Sequence, residues 1–142
     1  PLIVDMPGGA PIGNLANGMT CKSPVSLVDL YPTLIDLCGL PENAQLDGRS
    51  FAPLVREPNT DWPYPAIITH SPHWLGINHA VRSREYHYIR YSDGGEELYD
   101  VKADPLQRKN LADDLAHASV KAELKQWLPK KNAPHFGAPK RK

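Results

Sequence analysis

His79-Ala80-Val81-Arg82-Ser83 and Tyr86-His87-Tyr88-Ile89-Arg90-Tyr91-Ser92, parted by Arg84-Glu85 and followed by Asp93-Gly94-Gly95, decide the fold. Both runs are short and built from β-branched and aromatic residues, the types that pack well on a pleated surface. An Asp-Gly between such a run and Glu97-Leu98-Tyr99-Asp100 is a strong hairpin signal. Upstream, Ala66-Ile67-Ile68-Thr69-His70 reads as a buried-type strand. The expectation is a meander of three or four antiparallel strands taken in sequence order. Downstream, Ala116–Leu128 is predicted to be helical, with Val120, Leu124, Trp127 and Leu128 in one apolar stripe and Pro129 as its stop. A helix laid on one face of a short antiparallel sheet of about four strands makes this part α+β.

The N-terminal part has a different texture. Leu2, Ile3 and Val4 follow Pro1 and read as a short buried strand, an odd opening for an intact protein and one that suggests a chain starting in the middle of something. Residues 5–24 carry three prolines, four glycines and two asparagines and read as an ordered loop. Residues 29–38 give the clearest helix. Asp29 is placed to cap it, Pro32 falls in its first turn, and Gly39 and Pro41 end it. Leu30, Leu34, Leu37 and Cys38 are expected on its apolar face, with Tyr31 and Ile35 beside them, so Cys38 is expected to be buried and Cys21, in the loop, exposed. Asp47-Gly48-Arg49 reads as a turn, after which Ser50 caps a short helix through Phe51, Leu54 and Val55. The connection over residues 56–65 is punctuated by Pro58, Pro63 and Pro65 and marks the expected boundary between residues 1–60 and residues 61–128. Residues 129–142 carry five basic side chains, three prolines and no acid, and are expected to be a mobile basic tail.

Composition narrows the function classes. The 142 residues hold 16 Lys plus Arg against 16 Asp plus Glu, a formal net charge of zero, which argues against a surface tuned for nucleic acid or anionic membrane. Hydrophobic residues are 41% and charged residues 23%, the balance of a chain that folds. No apolar run approaches the ~18–20 residues of a membrane-spanning helix. The arginines interleaved with aromatics, Arg82, Arg84 and Arg90 with Tyr86, Tyr88 and Tyr91, invite a nucleic-acid reading. Zero net charge and the neighbouring Glu85, Glu96 and Glu97 favour a strand with a buried aromatic row and a solvated arginine row instead, with Arg82 and Glu97 as a plausible cross-strand pair.

Five or more segments, in order over residues 1–111, resemble the C-terminal part of a formylglycine-type sulfatase of the alkaline-phosphatase-like superfamily. They are Pro1-Leu2-Ile3; Val25-Ser26-Leu27-Val28-Asp29-Leu30-Tyr31-Pro32-Thr33-Leu34-Ile35-Asp36-Leu37; Leu46-Asp47-Gly48-Arg49-Ser50; Ala80-Val81-Arg82 with Tyr88-Ile89-Arg90; and Glu97-Leu98-Tyr99-Asp100 with Asp104-Pro105 and Asn110-Leu111. The nearest flavour is arylsulfatase-like or iduronate-sulfatase-like. The resemblance implies that residues 1–60 are the closing strand, loop and helix of an α/β catalytic domain, and that residues 61–128 are its C-terminal subdomain. It implies a parent that hydrolyses sulfuric esters, is periplasmic, secreted or lysosomal, and uses calcium and a formylglycine made from a Cys-x-Pro-x-Arg cysteine. Cys21 is followed by Lys22, Ser23, Pro24 and Val25, so it lacks both the Pro and the Arg that motif needs. The chain is therefore expected to hold no catalytic residue, metal ligand or cofactor of its own and to be inactive alone. A related phosphodiesterase or phosphonate hydrolase, or a stand-alone α+β interaction module, is the alternative.

The most chemically loaded stretch runs from Thr69 to His79 and holds His70, His73 and His79. Three histidines suggest zinc, yet no Cys or carboxylate nearby in sequence completes a tetrahedral set. The resemblance implies a loop facing the active-site mouth, which makes His73, Asn78 and His79 candidate substrate-binding residues and Trp74 a ring to stack on. The competing reading is a solvent-facing loop whose histidines cap strand ends. The expected partners are the N-terminal catalytic part of the same protein and a sulfated small molecule or glycan, with no nucleic acid and no membrane. Apolar faces at Leu2–Val4 and Leu30–Cys38 would otherwise drive self-association.

Overall fold

A computed structural model describes residues 2–4, 18–70 and 76–131. The chain divides into two units, Pro1–Ala66 and Ile67–Lys142, at the end of the proline-punctuated connection.

In the first unit, a turn of 3-10 helix over Leu27–Asp29 leads into α1, Leu30–Leu37, and α2 follows at Ala52–Arg56. Asp29 is the joint. Its Oδ2 accepts the Ser26 amide at 2.9 Å and its Oδ1 accepts the Arg49 amide at 2.9 Å. One buried carboxylate thus ties the start of the helix to the Asp47-Gly48-Arg49 turn. Thr33 continues the joint: its hydroxyl donates to the Asp29 carbonyl and accepts from the Phe51 amide at 2.9 Å. Gly48 is required here because its backbone lies against Val28; a Cβ would fall 2.1 Å from the Val28 carbonyl oxygen. Ser50 accepts from the Ala52 amide at 3.1 Å and donates to Asp36, which Arg56 also reaches at 3.2 Å.

Two expectations for this unit are corrected. Residues 2–4 form no strand, and Leu2, Ile3 and Val4 are exposed. An isolated extended segment has no partner for its backbone amides and carbonyls. The buried side of α1 is only partly the expected one. Leu37 of the expected face and Ile35 beside it are buried, together with Thr33 and Asp29, whereas Leu34 is 57% exposed and Tyr31 58%, as is Leu27 of the preceding turn at 80%. Cys38 is exposed and Cys21 half-buried, the reverse of the expectation. Apolar spacing located a helix with two sides to cover, but the polar joint at Asp29 and Thr33 chose which side faces inward.

In the second unit, β1 (Ala66–His70, which begins on the last residue of the first unit), β2 (Asn78–Arg82), β3 (Tyr86–Arg90) and β4 (Glu96–Asp100) form one sheet in the order β1-β2-β3-β4. β2 and β3 are antiparallel, as are β3 and β4, with Val81 opposite Tyr88 and Tyr88 opposite Leu98. A 3-10 turn at Leu115–His117 opens α3, Ala118–Lys125. Val81, Tyr88 and Leu98 are fully buried beneath Leu111, Ala112, Leu124 and Leu128, with Val120 and Trp127 packed alongside. The sheet, its order and the helical stripe are those expected from sequence. The helix proper stops at Lys125, and bonds from Trp127 to Leu124 and from Leu128 to Lys125 tighten the chain before Pro129.

Two devices fix the sheet. At the β3–β4 turn, Gly94 takes a left-handed φ of 93° and Asp93 Oδ1 accepts the Gly95 amide at 2.9 Å. Beside β4, Asn110 stands in for another strand: Oδ1 accepts the amides of Leu98 and Ala112, Nδ2 donates to the Glu96 carbonyl, and the Leu111 amide donates to the Leu98 carbonyl. Asp104 makes the intervening turn by accepting the amides of Arg108 and Lys109. The arginine expectation is corrected by register. Arg82 pairs opposite His87, while Arg90 sits opposite His79 and Glu96, so the two arginines lie on opposite faces. Arg82 and Glu97 form no ion pair; Glu97 accepts the Tyr99 hydroxyl at 3.0 Å. The expected mobile tail lies beyond residue 131, outside the described residues.

Candidate functional site

The candidate residues gather at the stem between β1 and β2. β1 lies next to β2 in the sheet, and the Thr69 hydroxyl of β1 lies 3.1 Å from Nδ1 of His79 on β2. His79 is buried at 3% exposure, on the same face as Val81 and facing the helix side of the sheet. Asn78, its neighbour, points to the other face. Its Oδ1 accepts the Ser92 amide at 2.9 Å, which holds the β3–β4 turn against the start of β2. Gly76 supports the same joint with a left-handed φ of 82°, and a Cβ there would meet the Ser92 Cβ at 2.5 Å. Both ends of the segment from His70 to Gly76 are thus tied down, one by Thr69 with His79 and one by Gly76 and Asn78 with Ser92. His73 and Trp74 lie outside the described residues.

Across the sheet from His79 comes Arg90, and across from Arg90 comes Glu96. Glu96 Oε1 accepts the Tyr88 hydroxyl at 2.7 Å and Lys125 Nζ at 2.6 Å, while Oε2 faces Lys121 Nζ at 3.3 Å. Partial burial opposes ionisation of Glu96, but the hydrogen bonds from Lys125, Tyr88 and Lys121 outweigh it and hold the carboxyl at about 2. Burial, with the hydrogen bond to Glu96, pushes the Tyr88 phenol above its ordinary range. This cluster has no spare proton near neutrality. Its chemistry is attachment of α3 to the sheet.

On the opposite face, His87 Nδ1 lies 2.6 Å from Gln107 Oε1, and Gln107 takes an uncommon left-handed φ of 52°. Sequence reading singled out Asn78 and His79 but missed their partners Thr69 and Ser92. Thr69 stands on the neighbouring strand and Ser92 just past β3, so only the folded arrangement of the elements could have supplied them. Asp29 was expected to cap α1, but its side chain makes no cap bond to that helix; one oxygen takes the Ser26 amide and the other an amide twenty positions away.

Comparison with known proteins decides what this unit is. Residues 1–133 match the family described as N-sulphoglucosamine sulphohydrolase, C-terminal. The chain belongs to this family. It is 40% identical over 106 residues to a Delta 4,5-hexuronate-2-O-sulfatase of Bacteroides thetaiotaomicron, covering 71% of this chain and 22% of that protein. Arylsulfatase K of Homo sapiens is 32% identical over 123 residues, covering 79% of this chain and 22% of that protein. Among solved structures, a 2-O GAG sulfatase aligns with a TM-score of 0.55 at 37% identity, over 69% of this chain and 22% of that chain. A phosphonate monoester hydrolase of Agrobacterium radiobacter aligns with a TM-score of 0.54 at 22% identity, over 69% of this chain and 23% of that chain, which shows a shared fold alone. The chain is a sulfatase C-terminal region, and it spans about a fifth of the length of the curated relatives it matches.

Formylglycine and calcium are what the resemblance to sulfatases implies for the parent, and the described residues do not fit them. Cys21 lacks the downstream Pro and Arg, and its Sγ accepts the Ser23 amide at 3.4 Å. Among the described residues no three His, Cys, Asp or Glu side chains gather closely enough to hold a metal ion.

Proposed function

We propose that this sulfatase C-terminal region packs against the catalytic part of its parent and supplies one wall of a pocket for a sulfated sugar. Residues 1–60 close the catalytic α/β domain and residues 61–128 form the C-terminal subdomain. The observation that carries the reading is the apolar side of α1. Tyr31 and Leu34 of α1, with Leu27 of the 3-10 turn that leads into it, stand exposed while Thr33, Ile35 and Leu37 of the same helix are buried. An exposed apolar set of this kind is costly in water and marks a surface meant for a partner. The sugar class is supported by the relatives, since the Bacteroides thetaiotaomicron protein at 40% identity is named for a sulfated hexuronate.

At the pocket wall, Asn78 and His79 act through the segment they anchor, and His73 is carried on that segment. The attacking group and the cation come from the catalytic part. An assay of the purified chain with an aryl sulfate ester and calcium tests this, and no turnover above buffer is expected. Turnover that persists through purification and is lost in no catalytic-part control would reject it. Addition of the catalytic part is expected to restore hydrolysis, and Leu34→Glu is expected to prevent that rescue.

A further inference from the structure

We infer that Arg49, Tyr64 and Trp62 form a binding site for an acidic saccharide. The Arg49 guanidinium carbon lies 3.7 Å from the centroid of the Tyr64 ring, a stacking contact. Trp62 packs on Tyr64 with ring centroids 5.0 Å apart and planes 80° from parallel. Cation, phenol ring and indole ring are therefore consecutive neighbours in one unit. Arg49 is exposed, whereas Trp62 and Tyr64 are half-buried.

The Arg49 side chain is not drawn off into an ion pair. Among the described residues Arg56 pairs with Asp36, Lys102 with Glu85, and Lys121 and Lys125 with Glu96, but no carboxylate meets the Arg49 side chain. Its backbone is pinned separately, through the amide that donates to Asp29. Stacking on Tyr64 fixes the plane of the guanidinium and leaves its in-plane N–H donors directed at solvent, the fork that takes a carboxylate or sulfate with two parallel hydrogen bonds. The neighbouring indole offers an apolar face to the C–H side of a sugar ring. Nucleic acid fits poorly, because the chain carries no net charge and the site holds one cation, too few for a run of phosphates.

The site does not depend on hydrolysis and is read by binding to this chain alone. The test is a nuclear magnetic resonance titration that follows the side-chain N–H signals of Arg49 and Trp62. The probes are a 2-O-sulfated uronate disaccharide, neutral cellobiose and sodium sulfate. Both signals are expected to shift and saturate with the sulfated disaccharide, with cellobiose and sulfate each at least about tenfold weaker, since each keeps one of the two contacts. Arg49→Ala is expected to abolish the response, and Arg49→Lys to weaken it by about tenfold, because an ammonium keeps the charge and loses the fork. The amide spectrum of Arg49→Lys reports that the unit is folded should Arg49→Ala lose it. Equal binding of sulfate alone overturns the saccharide assignment. An unchanged response in Arg49→Lys and Arg49→Ala, or no shift with any probe, overturns the site.

Discussion

Asp29 and Glu96 are two carboxylates that ordinary surface statistics would leave in water, and each holds its unit together. Asp29 spends one oxygen on Ser26 and the other on Arg49, so the helix start and the following turn share a single anchor. Gly48 makes that turn possible, and Gly48→Ala is expected to destabilise the chain by about 3 kcal/mol because its Cβ would overlap the Val28 carbonyl. A fall in the urea midpoint with an unchanged slope is the signature to look for. Glu96 has a folded pKa of about 2, below the ordinary 4.5, so its stabilisation is fully present above that ordinary value and drains as the pH falls toward 2. Its carboxylate keeps partial contact with water, so the contribution is about 1–2 kcal/mol. In Glu96→Gln that acid-sensitive part of the stability should vanish, with the pH 3 and pH 7 urea curves drawing closer together. Sequence offered Asp29 as a cap and Gly48 as a turn residue but could not show that they serve one joint, because the contact closes over twenty positions. For the site, Asn78 and His79 were legible by position next to a recognisable strand; their commitment to Ser92 and Thr69 depends on the folded arrangement of the elements, which no local pattern encodes.

The strands behaved as their composition demanded, since period-two patterning with an Asp-Gly turn leaves few alternatives. The helix α1 did not. Its spacing gave length and limits correctly, yet the apolar row of Leu34 and Cys38 faces outward while Thr33 faces in, carried there by its bonds to Asp29 and Phe51. Two apolar rows on one helix are degenerate to a periodicity count, and a polar tie between elements broke the degeneracy. The same lesson holds at β4, where Asn110 supplies by side chain what another strand would supply by backbone. Asn110→Ala leaves the Leu98 amide without its acceptor and is expected to cost about 1–3 kcal/mol. Hydrogen exchange at the Leu98 amide should rise more than exchange at Val81 or Tyr88, because the injury is confined to one margin of the sheet.

For the molecule as a whole, the exposed apolar residues Leu27, Tyr31 and Leu34 predict that the purified chain associates with itself when no catalytic part is present. Sedimentation velocity should show species larger than a monomer, and Leu34→Glu should shift them toward monomer while leaving the second unit's amide protection intact. A monomer in the unaltered chain at all concentrations would remove the argument that these residues await a partner. Any association through the sheet is limited differently. Asn110 and Leu111 occupy the outer rim of β4, so that margin takes no further strand. With one margin sealed, any joining of copies sheet to sheet ends at two and has no means of propagating into a fibre.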